Sequence, residues 1–87
     1  MLTEYIEAAM RRARCKVLPE DGDHFCEIPD APGVWAHAET LEASRAELRE
    51  VLEDWITLGL AMHHPLPVID GIDINPQYVA PGSRTME

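Results

Sequence analysis

Residues 14–38 read RCKVLPEDGDHFCEIPDAPGVWAHA, and the fold turns on them. Arg14-Cys15-Lys16-Val17-Leu18 alternates in polarity, as a half-buried strand does. Glu20-Asp21-Gly22-Asp23 is a turn signal with Asp-Gly at its centre. His24-Phe25-Cys26-Glu27-Ile28 reads as the returning strand. Pro29-Asp30-Ala31-Pro32-Gly33 stops it, because two prolines around an aspartate cannot continue a hydrogen-bonded ladder. Val34-Trp35-Ala36-His37-Ala38 is a third short strand. A two-residue loop at Asp21-Gly22 sets Val17 against Cys26 and Cys15 against Ile28. Cys15, Val17, Cys26 and Ile28 then line one face, and Lys16, Phe25 and Glu27 the other. In that register Cys15 and Cys26 stand diagonally, which disfavours a disulfide.

Helices flank this meander. Leu2, Tyr5, Ile6, Ala9, Met10 and Ala13 recur at steps of three and four, which predicts a helix over residues 3–13 with Thr3 as its cap. Thr40 caps a long helix over 40–63 in which Leu41, Leu48, Val51, Leu52, Trp55, Ile56, Leu58 or Gly59, and Met62 keep helical spacing, with Trp55 read as core and Pro65 beyond the helix end. Val68-Ile69 and Ile72-Asp73-Ile74 read as a last strand over 68–74, split by Asp70-Gly71, and residues 76–87 as a flexible tail. The order is α-β-β-β-α-β. The expected class is α+β: a single domain over residues 1–75, with an antiparallel sheet of three to four strands and helices packed on one face. The other face of such a sheet is left open.

Composition narrows the function. Seven Lys and Arg against sixteen Asp and Glu give 87 residues a formal charge of −9, which disfavours direct nucleic-acid binding. Residues 20–54 hold eleven acids and two bases, so they account for that whole charge. Arg11, Arg12, Arg14 and Lys16 form a local basic cluster, read as complementing a helix C-terminus or acidic neighbours. No run is long and apolar enough to span a membrane, and no basic-then-apolar start marks a signal peptide, so a cytoplasmic setting is expected. A chain this small often draws stability from self-association, and a homodimer or tetramer is expected.

Chemistry-bearing patterns are sparse. Four histidines and two cysteines show no C-x-x-C or H-x₃-H spacing, so no metal or other cofactor is expected. Ser44 and Ser83 lack a paired base, and Glu27, Asp30, Glu39 and Glu53 show no fixed spacing. The chain is therefore read as no enzyme, with no catalytic residue. Phe25 and Trp35 lie on strands with an open outer face, and Glu27 and Asp30 are polar neighbours. These four are the partner-binding candidates. Pro29, Pro32 and Gly33 are read as a structural motif that fixes the path of the loop.

The segment from Gly22 to Val34, GDHFCEIPDAPGV, resembles the DGYYAEIPDLPGV stretch of HicB-like antitoxins. The likeness continues through Thr40-Leu41-Glu42 and along the long helix to Leu66-Pro67-Val68, covering roughly residues 14–74. The resemblance implies a β-β-β-α-β domain of partial RNase H-like fold. It implies a non-enzymatic antitoxin that binds and silences a small basic HicA-like toxin, an mRNA-cleaving ribonuclease of double-stranded-RNA-binding fold. Many relatives carry a C-terminal DNA-binding domain, which this sequence does not include. The helix at 3–13 is an addition that resembles a solitary subgroup. Two other readings stand beside it: a solitary homo-oligomeric regulatory or structural protein without a toxin, and the remnant of a metal-dependent nuclease.

Overall fold

A computed structural model describes residues 2–76. The tail expected over 76–87 lies, from residue 77 on, outside the described residues. Five elements follow in order: α1 (Leu2–Arg11), β1 (Arg14–Val17), β2 (His24–Glu27), β3 (Trp35–Ala38) and α2 (Leu41–Ala61). The class is α+β, with one three-stranded antiparallel sheet in the order β1-β2-β3.

The hairpin register differs from the expected one. Cys15 pairs with Cys26 and Val17 with His24, a slip of two residues. The loop is not a two-residue turn at Asp21-Gly22 but spans Leu18 to Asp23, which leaves Pro19 outside the ladder and sets the two cysteines opposite each other. Leu18 N–H donates to the Asp23 carbonyl at 2.7 Å, and Gly22 takes φ +76° inside the turn. A slip of two leaves every side chain on its expected face, because the side-chain period of a strand is also two. It does overturn the expectation for the cysteines: Cys15 and Cys26 are directly opposed and form a disulfide.

α2 lies over β2 and β3. Ser44, Leu48, Leu52, Ile56 and Gly59 form its buried stripe, against the inner-face residues Cys26, Ile28, Val34 and Ala36. The Thr40 side chain accepts from Ala43 N–H at 3.1 Å and satisfies one orphan donor of the first turn. Gly59 permits a close approach: a Cβ there would stand 2.7 Å from Leu66 Cδ2. α2 ends where His63 takes φ 59° and His64 N–H returns to the Gly59 carbonyl. β1 is exposed along its length, so the inner-face residues Cys15 and Val17 lie beyond the cover of the helices.

α1 begins one residue earlier than expected, so Thr3 lies inside its first turn rather than capping it. It ends at Arg11, where Arg12 and Ala13 close tighter bonds to Ala9 and Met10. Tyr5, Ile6, Ala8, Ala9 and Met10 are buried. The expected last strand over 68–74 does not join the sheet. Asp70 and Gly71 both take positive φ, the geometry of a tight two-residue turn, and the segment folds on itself as a single Ile69–Ile72 bridge. Asn75 holds its other end by pairing its side-chain amide with both backbone groups of Leu66.

Tyr5 ties α1 to this segment, its hydroxyl donating to the Pro67 carbonyl at 2.8 Å. Burial raises its pKa above the ordinary 10.0, and the charges of Asp30 and Asp73 add to the rise. The neutral form is thus favoured by folding. This contribution is full below the unfolded value near 10 and is lost as pH rises toward the higher folded value. Tyr5→Phe is expected to cost about 1 kcal/mol near neutral pH. In urea titrations it should also flatten the alkaline fall in stability; an unchanged fall would assign it to other groups.

Candidate functional site

Alternation along the three strands puts Arg14, Lys16, Phe25, Glu27, Trp35 and His37 on the sheet face opposite α2. No described element covers it. Phe25 and Trp35 stack with ring centroids 5.9 Å apart and planes at 29°. Lys16 Nζ stands 5.6 Å from the Phe25 centroid, a cation–π contact. Trp35 is 54% exposed and Phe25 half-buried. Glu27 pairs with Trp35 across the strands, and His37 with Phe25. The centre of the face is therefore an aromatic pair, with cations toward the β1 edge and a carboxylate beside the indole.

Three of the four candidate residues, Phe25, Glu27 and Trp35, share this face. Asp30 does not. It sits in the loop between β2 and β3, where its carboxylate accepts from Arg12 Nε. Arg12 also donates to Asp70 at 2.8 Å, so one guanidinium joins α1 to two loops. The basic cluster is thereby divided. Arg11 and Arg12 serve these ion pairs, whereas Arg14 and Lys16 stand on the open face. Within the loop, Ala31 N–H donates to Ile28 O, Val34 N–H donates to Ala31 O, and Ala31 is fully buried. Gly33 takes φ +95°, a conformation that a side chain would strain.

One cluster has no counterpart in the sequence reading. Ligand atoms of Asp21, Asp23 and His37 lie within 4.8 Å of one another at the hairpin tip. His37 Nε2 is 2.9 Å from Asp23 Oδ2, and Asp21 Oδ1 accepts Asp23 N–H at 3.0 Å. These groups bind one another and shape the turn. Their signal was the D-x-D of the loop, which a histidine on the neighbouring strand completes only once the register is known.

A family model described as UPF0150-like matches residues 4–67. The chain belongs to the UPF0150-like family. A solved relative, the crystal structure of TTHA0281 from Thermus thermophilus, is 37% identical with a TM-score of 0.80. The match covers 88% of this chain and 95% of that one. No curated protein matches. The UPF0150-like match spans α1, the sheet and α2, and so includes the whole aromatic face. Among the described residues, no helix is long and apolar enough to cross a membrane.

Proposed function

We propose that this UPF0150-like chain is a non-enzymatic, antitoxin-type binding module. It docks its open sheet face on a small basic HicA-like ribonuclease of double-stranded-RNA-binding fold and covers the toxin's RNA-binding surface. The observation that carries the reading is the Phe25–Trp35 stack on a sheet face that no described element covers. Stacked aromatics ringed by polar groups are the usual anchors of a protein interface. The net charge of −9 supplies long-range attraction for a basic partner and raises the association rate more than the affinity. Six of the acids, from Glu39 to Asp54, precede or lie on α2, away from the sheet face, so steering and contact are assigned to different surfaces. On this face Arg14 and Lys16 are balanced by Glu27 and Asp23, so the patch offers phosphate no net positive charge.

Co-expression with an adjacent small basic toxin, followed by co-purification, tests this reading. Trp35→Ala should weaken the complex about thirtyfold, or about 2 kcal/mol, and restore RNA cleavage by the toxin. Undiminished toxin binding by Trp35→Ala, retention of RNA instead of protein, or no basic protein in the complex would each refute it.

A further inference from the structure

α2 carries a second apolar stripe. Val51, Trp55, Leu58 and Met62 follow at steps of four, three and four, the spacing with which one helix packs on another. Leu58 and Met62 are 59% and 54% exposed, and Val51 and Trp55 half-buried. α1 does not cover this flank. The crevice between the helices is lined by Leu2, Ile6, Glu53, Ile56 and Thr57, and Glu53 and Thr57 lie on the other side of the buried stripe. Next to the second stripe a groove is lined by Trp55, Leu58, Gly59, His64, Pro65 and Leu66. The patch is distinct from the Phe25–Trp35 face, since it stands on α2 and not on the sheet.

Charge selects its occupant. Glu47, Glu50, Glu53 and Asp54 all precede Trp55, and residues 55–69 contain no Asp, Glu, Lys or Arg. A basic partner gains nothing electrostatically from this half of the helix. A second copy, itself at −9, is repelled by the acidic half and meets no acid here.

We infer that residues 51–66 form a two-fold interface with a second copy of this chain, α2 lying antiparallel to α2. With the axis near Leu58, Leu58 meets Leu58 of the second copy, and Trp55 meets its Met62. The same arrangement sends Glu50 and Asp54 toward residues 62–67 of the other copy, which carry two histidines and no acid. One patch thus serves both sides, as a two-fold contact requires.

Analytical ultracentrifugation of the full chain at micromolar concentration tests the inference. The wild type should sediment at twice its 9.8 kDa mass or a multiple of that dimer. Leu58→Glu should abolish the patch contact and halve the mass, with an unchanged circular dichroism spectrum. Leu58→Cys should form a covalent dimer under mild oxidation, whereas Leu41→Cys, exposed but off the stripe, should not. This second variant keeps the test sharp if Leu58→Glu fails to fold. A monomeric wild type would overturn the inference. So would no cross-link through Leu58→Cys, or an assembly that Trp35→Glu dissociates and Leu58→Glu does not. Failure of toxin binding leaves these readouts untouched, so the two proposals fail separately.

Discussion

Leu52→Ala is expected to lower the free energy of unfolding by about 3–4 kcal/mol. Leu52 is fully buried at the middle of the α2 stripe, between Leu48 and Ile56. Truncation removes the transfer free energy of the lost carbons and leaves a cavity that helix-on-sheet packing closes only in part. Small domains hold only about 5–15 kcal/mol in total, and short chains sit toward the lower end. The urea midpoint should therefore fall by more than about 1 M, with little change in slope. Leu58→Ala, one and a half turns further along and mostly exposed, supplies the contrast. In dilute solution it should shift stability by no more than about 0.5 kcal/mol. Equal losses at the two positions would contradict the assignment of the buried and exposed stripes.

Reduction of the Cys15–Cys26 bridge is expected to cost about 2–3 kcal/mol. The bridge closes a short segment, with a sequence separation of 11, and chain-entropy arguments give a value of this size for such a loop. β1 depends on it strongly, because no helix covers that strand and its residues are exposed throughout. Urea unfolding with and without a dithiol measures the difference. The double variant Cys15→Ala with Cys26→Ala should be as labile as the reduced protein and indifferent to the dithiol. A wild type indifferent to the dithiol would show that β1 contributes nothing to the cooperative unit.

The sequence made some of this legible and hid the rest for identifiable reasons. Alternation assigned Phe25, Glu27 and Lys16 to the outer face correctly even though the register was wrong, since an even slip cannot turn a side chain over. The register itself was hidden because the Asp-Gly signal suggested a two-residue loop, whereas the turn spans Leu18 to Asp23. α2 was readable from its cap and from Leu48, Leu52 and Ile56, but helical spacing also took in Leu41, Leu58 and Met62, which are exposed. Residues 68–74 misled because their β-branched content suits a strand, while Asp70-Gly71 bends them back upon themselves. Asp30 could not be removed from the site by local reading, because its partner Arg12 lies 18 residues earlier.

The even slip has one more consequence. Hydrophobic pattern cannot distinguish the native hairpin from its neighbour two residues away, for both bury the same side chains. Only in the native pairing do the two sulfurs meet; in the other, Cys15 faces Ile28. Oxidation can therefore seal one pairing and not its near-twin. The bridge works as a checksum on the hairpin, written only when the strands are correctly aligned.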